Sequence, residues 1–254
     1  MRAPDELRAF AERYLDELAL TPELGALTTS MRYALVGGKR IRAQLCLATG
    51  EAVGAEPEEL LPAAAALELV HAFSLVHDDL PGLDDDAERR GRASTWAAHG
   101  VGVAILAGDA LLAEAYRLAL AYPRPGVARE LAAAVVAMIG GQYRDIEGEE
   151  DREALNRLKT GALFRASVCC ALWAADVPER AHGPWRAFAE ELGPLFQIVD
   201  DLLDGDGYVL SHGEDGARSL ADEAAARAQE RLAAIPADTT ALAAIVDGLA
   251  TRTV

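Results

Sequence analysis

The chain has 254 residues, 51% of them hydrophobic, and a formal net charge of −17 from 24 basic and 41 acidic side chains. A surface this acidic repels nucleic acid and anionic membranes at long range, so neither is an expected partner. The three cysteines show neither metal-site spacing nor the even number of a disulfide framework, which favours buried thiols in a reducing compartment. No uninterrupted apolar run approaches the ~18 residues that span a bilayer, and the charged N-terminus is unlike a signal peptide. We therefore expect a cytoplasmic protein without a membrane span.

Helical periodicity dominates the chain from its first residues onward. Residues 5–20 carry apolar positions at helical spacing, and residues 60–77 are apolar nearly all round, which predicts a central buried helix. In chain order, the pattern predicts further helices over 103–121, 127–146, 155–175, 186–204 and 217–234. Segments rich in Gly and Pro separate several of them, and we find no convincing strand pattern, repeat or change of composition. The sequence therefore predicts one all-α bundle, with residues 1–254 in a single domain.

An acidic cluster ends the predicted helix over 186–204. Asp200 and Asp204 are one helical turn apart and share a face, and Asp201 sits beside that face. The helix dipole is already negative at a C-terminus, so three carboxylates there destabilise the helix end unless an external cation binds them. We expect the three side chains to converge on one small volume.

A second acidic cluster follows the predicted central helix, in the segment SLVHDDLPGLDDDAERRG at 74–91. Asp78 and Asp79 close the helix, whereas Asp84 is six residues beyond Asp78 and cannot share its face of a continuous helix. The Pro-Gly pair between them should end or kink the helix, which lets Asp84 fold back beside Asp78. Because the preceding helix is so apolar, the carboxylates should open onto a hydrophobic cavity.

Both clusters offer only oxygen ligands, without a His or Cys cluster, and this donor set favours Mg²⁺ or a similar hard ion. Mg²⁺ keeps several waters and bridges carboxylates to substrate phosphates, so two facing clusters suggest a polyphosphate held between them by several ions. The alternative is that each acidic run is a solvated loop. That alternative suits one isolated cluster better than two clusters that each follow an apolar helix.

Basic residues near the clusters suggest anion binding. Lys39 and Arg42, in GGKRIRAQL, are three apart and are predicted to share one helical face after two glycines. Arg89 and Arg90 directly follow the cluster at Asp78, where Arg90 could bind a second anion and Arg89 could lie nearer the metal.

Two further residues are ambiguous when taken alone. His71 lies two helical turns before Asp78 on the same face, so ligand binding and an ordinary buried histidine are about equally good interpretations. Lys159, a lone basic residue between apolar stretches, indicates little by itself. Together the residues imply one anion bound through Mg²⁺, a second bound directly by Lys and Arg, and a hydrophobic cavity beneath. Two substrates with diphosphate at one end and hydrocarbon at the other satisfy all three.

With these motifs the chain resembles the trans-isoprenyl diphosphate synthases, such as farnesyl and geranylgeranyl diphosphate synthases. The matching segments occur in the family's order: GGKRIR (37–42), HAFSLVHDDLPGLDDD (71–86), RRG (89–91), AILAGDALL (104–112), GGQ (140–142), KTGAL (159–163) and FQIVDDLLD (196–204). The resemblance implies the isoprenoid synthase type I fold, with about ten or more helices around a central cavity, and a homodimer. It also implies head-to-tail condensation of an allylic diphosphate, dimethylallyl or geranyl, with isopentenyl diphosphate.

The resemblance implies roles for individual residues. Asp78, Asp79 and Asp84 match the first aspartate motif and Asp200, Asp201 and Asp204 the second, which together would bind about three Mg²⁺ ions shared with the allylic diphosphate. Lys39, Arg42, His71 and Arg90 match the isopentenyl diphosphate site, Arg89 and Lys159 match contacts to the allylic diphosphate, and Thr160 and Gln197 match groups near the developing carbocation. On this basis the catalytic residues are Asp78, Asp79, Asp84, Lys159, Thr160, Gln197 and Asp200.

Product length depends on the depth of the cavity below Asp78, where one helical turn adds ~5.4 Å, on the order of one isoprene unit. Helical geometry places Ser74 more directly below Asp78, whereas the family pattern makes the aromatic Phe73 the floor. An aromatic residue there, with four residues between Asp79 and Asp84, resembles bacterial farnesyl diphosphate synthases and implies a C15 product. A geranylgeranyl or geranyl product is the alternative within the same chemistry.

The C-terminal part departs from the family pattern. From about residue 205 the chain is shortened, and GDGYVLSHGEDGARS lacks both lysines that the family carries after the second motif. Ser211 or His212 falls near the first missing lysine. This departure motivates another interpretation, a non-catalytic subunit of a hetero-oligomeric synthase, although all six motif aspartates are retained. A class I terpene cyclase is a further interpretation, but such an enzyme normally carries a different second metal motif.

Overall fold

The computed structural model describes residues 1–251. The α-helices are Pro4–Glu17 (α1), Leu27–Leu35 (α2), Ile41–Ala52 (α3), Pro57–Asp78 (α4), Thr95–His99 (α5), Val101–Ala119 (α6), Gly126–Ile146 (α7), Arg152–Asn156 (α8), Ala162–Ala174 (α9), Gly183–Asp204 (α10), Tyr208–Ala233 (α11) and Thr240–Ala250 (α12). Short 3₁₀ turns span Pro22–Leu24 and Glu179–Ala181, and a π-helical turn spans Arg157–Gly161. The predicted all-α bundle of about ten or more helices is confirmed.

The structure also contains elements that the sequence patterns did not predict. Helices α2, α5 and α12 are additional, and the predicted helix over 155–175 is divided by the π-helical turn. Two antiparallel strands of two residues each, Glu88–Arg89 (β1) and Arg92–Ala93 (β2), form a small hairpin. Its turn residues Arg90 and Gly91 have φ values of +57° and +72°, as a tight two-residue hairpin requires. Strands this short cannot show an alternating pattern, which is why they escaped prediction.

Helix α4 forms the centre of the bundle and packs against α3, α6 and α9. It is long and apolar enough to cross a membrane by length and composition, but 72% of its most apolar window is buried inside the structure. The one carboxylate in its middle, Glu68, is buried. It accepts a hydrogen bond from the Ala43 amide (3.1 Å) and forms an ion pair with Arg40 (3.4 Å). Core packing therefore accounts for the apolar composition of this helix.

A proline inside α4 is accommodated by a side chain from the loop between α6 and α7. Pro62 cannot donate a backbone hydrogen bond to the helix. Close to it, the Tyr122 hydroxyl accepts a hydrogen bond from the Ala63 amide (3.1 Å) and donates one to the Glu59 carbonyl (2.7 Å). Burial raises the pKa of Tyr122, so its hydroxyl remains a donor. The helix thus continues past the proline to the aspartates at its C-terminus.

Candidate active site

The first aspartate motif folds into a compact turn where α4 ends. The amide of Asp84 donates to the carbonyl of Asp78 at 2.9 Å, so Asp84 folds back beside Asp78 as the sequence predicts. The amides of Leu83 and Asp85 both donate to the Leu80 carbonyl, at 2.8 and 3.1 Å, which closes the turn. The prediction of a chain reversal between the aspartates is therefore confirmed.

The carboxylates in this turn are electrostatically unfavourable. Burial, followed by the charge of Asp84, raises the pKa of Asp78 to about 6. Asp79 is only 2% exposed, and burial raises its pKa even though the Nε of Arg89 donates to its Oδ1 at 2.9 Å. A hard divalent cation would offset this repulsion, and the all-oxygen donor set suits Mg²⁺.

The β1–β2 hairpin separates the two adjacent arginines. Arg89 turns toward the aspartates and forms ion pairs with Asp79 and Asp86. Arg90 turns toward the loop before α3, where its Nη1 donates to the Val36 carbonyl at 3.4 Å. The two adjacent arginines therefore point in different directions, Arg89 to the aspartates and Arg90 to the loop before α3, as the sequence suggested.

A cavity of about 510 Å³, which we call the basic cavity, collects the second set of predicted residues. Its lining includes Lys39, Arg42, His71 and Arg90. The predicted shared helical face of the first two is wrong, because α3 begins only at Ile41 and the preceding residue, Arg40, has a left-handed φ of +54°. The bend nevertheless leaves both side chains on the same cavity.

Burial sets the charge states inside the basic cavity. Arg42 is buried, its guanidinium lies 5.0 Å from the centroid of the Phe164 ring, and burial lowers its pKa to about 10, so it remains charged at neutral pH. Burial, together with the charges of Arg42 and Arg90, lowers the pKa of His71 well below its usual range. His71 is therefore neutral at pH 7 and can offer a hydrogen bond without adding charge.

A second cavity, of about 390 Å³, lies beneath Asp78 and is called the apolar cavity here. Phe73 and Ser74 both line it, together with Met138 and Ile139 of α7. The Phe73 ring meets the His77 ring edge-on at 4.9 Å between centroids. Both predicted chain-length residues therefore face the same space.

His77 holds the wall of this cavity against α6. Its Nε2 lies 3.1 Å from the Ile105 carbonyl oxygen and 3.8 Å from Oδ1 of Asp109. The ring fits because residue 108 is glycine: a Cβ at Gly108 would lie 2.2 Å from Nε2 of His77. The residue directly before Asp78 is thus fixed by a close helix–helix approach.

A third cavity, of about 730 Å³ and called the mouth cavity, lies beside the second aspartate motif. Lys159, Thr160, Gln197 and Asp201 line it. The first two belong to the π-helical turn, a local distortion often found at functional sites. The turn packs closely on α7, since a Cβ at Gly141 would lie 2.8 Å from Cγ of Lys159. Lys159 forms an ion pair with Asp145.

The second aspartate motif does not form the predicted three-carboxylate cluster. Oδ1 of Asp201 accepts a hydrogen bond from the Gln197 side chain (2.8 Å), and its Oδ2 accepts one from the Tyr208 amide at the start of α11 (2.9 Å). Asp204 is exposed, and the negative charge of Asp200 acts on Arg42. Among residues 1–251, no three His, Cys, Asp or Glu side chains are gathered as a metal site. Ions that reach these carboxylates partly through substrate phosphates need no such cluster.

The three cavities adjoin one another through shared wall residues. Arg42 and His71 line both the basic and the apolar cavity, and Lys159 and Thr160 line both the apolar and the mouth cavity. The basic cavity and the mouth cavity, both lined by charged side chains, therefore each adjoin the apolar cavity. Asp78 lies on the wall of the apolar cavity. This arrangement can hold two anionic head groups while both tails lie in a water-poor space.

Sequence reasoning missed two residues of this site. Asp145, the partner of Lys159, follows three residues after the glutamine of the GGQ segment, and that proximity was the available signal. Arg40, inside GGKRIR, anchors the loop before α3 by donating to the Leu35 carbonyl and pairing with Glu68. Neither role could be read from residue type alone, because both depend on packing between distant segments.

Comparisons with known proteins agree with this geometry. The sequence profile of the family described as Polyprenyl synthetase matches residues 25–217. A geranylgeranyl diphosphate synthase of Cyanophora paradoxa is 42% identical over 69% of this chain, and the match spans 64% of that protein, less than two thirds of its length. A farnesyl diphosphate synthase of Haemophilus influenzae is 35% identical over 89% of this chain and 88% of its own. The structure of an isoprenoid synthase family member from Thermotoga neapolitana superposes with a TM-score of 0.82 and 32% identity, covering 96% of this chain and 97% of that chain. The chain belongs to the polyprenyl synthetase family.

Proposed function

We propose that this protein is a prenyltransferase that condenses an allylic diphosphate, dimethylallyl or geranyl, with isopentenyl diphosphate in head-to-tail fashion. The observation that carries the proposal is the contiguity of the three cavities, in which two charged compartments flank one apolar space. Prenyl diphosphates have this same division into an anionic head and an apolar tail. The relatives named as prenyl diphosphate synthases support the same reaction class.

The mouth cavity and the turn at Asp78 are proposed to hold the allylic diphosphate. Asp78, Asp79 and Asp84, with Asp200, Asp201 and Asp204, would hold about three Mg²⁺ ions together with that diphosphate. Mg²⁺ held by these carboxylates would supply Lewis-acid chemistry that makes the diphosphate a better leaving group. Arg89 and Lys159 would add direct contacts to the diphosphate, while Thr160 and Gln197 would lie beside the developing cation. The apolar wall excludes water and so suppresses hydrolysis.

The basic cavity is proposed to hold isopentenyl diphosphate. Lys39, Arg42 and Arg90 would neutralise its charge, and neutral His71 would donate a hydrogen bond. Because Arg42 and His71 also line the apolar cavity, the double bond of this substrate would lie next to the allylic carbon. No residue is assigned as a nucleophile, because the double bond of isopentenyl diphosphate itself attacks the allylic carbon. We propose that the proton lost afterwards goes to the departing diphosphate.

We propose farnesyl diphosphate as the main product, with Phe73 as the floor of the apolar cavity. A geranylgeranyl or geranyl product is the alternative, because the relatives include synthases of more than one chain length. We further propose that residues 1–254 act as one domain in the cytoplasm.

A second copy of this chain is the proposed partner. Exposed apolar side chains that are not part of the apolar cavity concentrate on α6, at Val101, Val103, Ile105 and Leu106, with Val136 on α7. Leu106 is 58% and Val136 is 71% exposed, which is costly unless another surface covers them. Sedimentation velocity should give the mass of a homodimer, and Val136→Glu should shift the protein toward monomer. A wild-type monomer at micromolar concentration contradicts this partner.

One product assay tests the proposed activity. The purified protein is incubated with Mg²⁺, dimethylallyl diphosphate and labelled isopentenyl diphosphate, and the products are separated by chain length. Elongated prenyl diphosphate, abolished by a chelator, is the expected result. A cyclic hydrocarbon would instead identify a terpene cyclase, and absence of turnover that returns on adding a second synthase subunit would identify a non-catalytic subunit.

A further inference from the structure

The side chains that line the mouth cavity carry more negative than positive charge. Its lining contains four carboxylates and two cations, namely Asp145, Glu149, Asp201 and Asp206 against Arg152 and Lys159. A diphosphate that enters with divalent ions benefits from cations that are not already neutralised by the protein. The two cations differ in whether a carboxylate of the protein already pairs with them.

Lys159 is already engaged, because its Nζ pairs with Asp145. At the first aspartate motif Arg89 is engaged in the same way by Asp79. Arg152 differs: within residues 1–251 its guanidinium forms no ion pair with any carboxylate, although Glu149 lines the same cavity. Arg152 is therefore the cation of this cavity whose hydrogen-bond donors are available.

The backbone around Arg152 is held in place, so its side chain starts from a fixed point. The side chain of Asp151 accepts a hydrogen bond from the Ala154 amide at 2.9 Å, which caps α8. One turn later Leu155 is buried and anchors α8 against the bundle. Helix α8 also packs directly against α7, α10 and the π-helical turn that carries Lys159. The anchoring limits the conformational freedom that a ligand would have to remove.

On the other side of the mouth, the described residues that line the cavity carry no positive charge. Here the lining comes from the link after α10, Asp206 and Gly207, and from the start of α11, Tyr208, Leu210 and Ser211. The link from Gly205 to Gly207 is so short that α11 begins directly at the cavity. Of the two residues that the sequence placed near this point, Ser211 lines the cavity, and its Oγ lies 2.8 Å from Nδ1 of His212. Additional positive charge must therefore come from the α8 side.

We propose that Arg152 is a substrate-binding residue that donates guanidinium hydrogen bonds to the diphosphate of the allylic substrate in the mouth cavity. The inference rests on the proposed function and names one more residue of the same site. A guanidinium matches two phosphate oxygens at once, whereas an ammonium acts as a point charge. Replacement by lysine should therefore restore part of the binding, and replacement by glutamine little of it.

Binding of inorganic diphosphate in the presence of Mg²⁺, followed by calorimetry on the full chain, provides the test. Arg152→Gln should raise Kd about tenfold and flatten its dependence on ionic strength, and Arg152→Lys should give an intermediate Kd. The matched control is Arg157→Gln, which removes an exposed arginine at the start of the π-helical turn that lines a different cavity. Its Kd and salt dependence should equal those of the wild type.

The outcomes separate this inference from the proposed function. If the wild type binds diphosphate and elongates prenyl chains, an Arg152→Gln protein with unchanged Kd overturns the role of Arg152 and leaves the reaction standing. Equal weakening by Arg157→Gln also overturns it, because the effect would then be one of general surface charge. A wild type that neither binds diphosphate nor makes product overturns the proposed function, and the role of Arg152 with it.

Discussion

The amide of Asp84 donates a hydrogen bond to the carbonyl of Asp78 at 2.9 Å, and this bond holds two carboxylates side by side at the end of α4. Repulsion between them contributes to raising the pKa of Asp78 to about 6, after burial as the larger cause. The turn is therefore unfavourable for the protein alone and favourable in the presence of a divalent cation. Stability and metal response should change in opposite directions when one of the charges is removed.

Asp84→Asn is expected to separate these two effects. Loss of the negative charge should raise the melting temperature of the metal-free protein slightly, by an amount equivalent to about 1 kcal/mol or less for so exposed a group. The further stabilisation by Mg²⁺ and inorganic diphosphate should require at least about tenfold more Mg²⁺, because a ligand has been lost. Thermal denaturation across a Mg²⁺ titration measures both quantities.

The matched control for this variant is Asp85→Asn in the same turn. Asp85 has a left-handed φ of +55°, a conformation that asparagine also tolerates, and it lies outside the proposed metal ligands. Its Mg²⁺ response should stay at the wild-type level. Identical Mg²⁺ titrations for Asp84→Asn and the wild type would contradict the assignment of Asp84 as a ligand.

The depth of the apolar cavity is expected to set product length through Phe73. Phe73→Ala removes a ring from the wall beneath Asp78, so the growing chain should extend further and longer products should accumulate. Ser74→Phe, one position later on the same wall, should have the opposite effect and shorten the product. Chromatography of the prenyl products measures both. A product distribution that Phe73→Ala leaves unchanged refutes Phe73 as the floor.

Close packing of α6 on α4 is expected to make Gly108 intolerant of substitution. In Gly108→Ala the new Cβ would lie 2.2 Å from Nε2 of His77, so the ring must move and its contact with the Ile105 carbonyl is lost. Overpacking of this kind costs about 1–3 kcal/mol in the free energy of unfolding. Because His77 directly precedes Asp78, turnover should also fall. Urea denaturation and the product assay measure the two effects.

The control for Gly108→Ala lies on the same helix. A Cβ at Gly102 meets no atom within 4 Å among the described residues, so Gly102→Ala should leave stability unchanged or raise it slightly. Equal destabilisation by both substitutions would show that helix α6 responds to alanine in general, and would remove His77 from the explanation.

The sequence predicted the parts of this site that depend on local geometry. The fold-back of Asp84 followed from a Pro-Gly pair between two aspartates, and the central position of α4 followed from its nearly uniform apolar character. The three-carboxylate cluster of Asp200, Asp201 and Asp204 was predicted wrongly, since no such cluster is gathered among residues 1–251. Asp201 instead accepts hydrogen bonds from Gln197 and from the first amide of α11. The hydrogen bond from the Tyr208 amide depends on where α11 starts, and the spacing of the aspartates does not predict that start.

Other features lay beyond sequence reasoning because they arise from long-range packing. The left-handed conformation of Arg40, which takes Lys39 off the helix, is stabilised by a carboxylate 28 residues away in α4. The pairing of Lys159 with Asp145 likewise depends on how the π-helical turn packs on α7. In each case the residue types were evident and the partners were not.

The buried cysteines are expected to make the fold sensitive to alkali. Cys46 is fully buried, and burial raises the pKa of its thiol to about 12 from the value near 9 of an exposed cysteine. A raised pKa in the folded state means that the unfolded chain releases its proton first, so this contribution to stability is complete below pH 9 and is lost as pH rises toward 12. In that window one such thiol changes the free energy of unfolding by up to about 1.4 kcal/mol per pH unit. Cys46→Ala should lower stability by a constant amount near neutral pH and reduce the slope between pH 9 and pH 11 in denaturation experiments. Parallel stability curves for the two proteins over that range would assign the alkaline transition to other groups, such as the half-buried Tyr122.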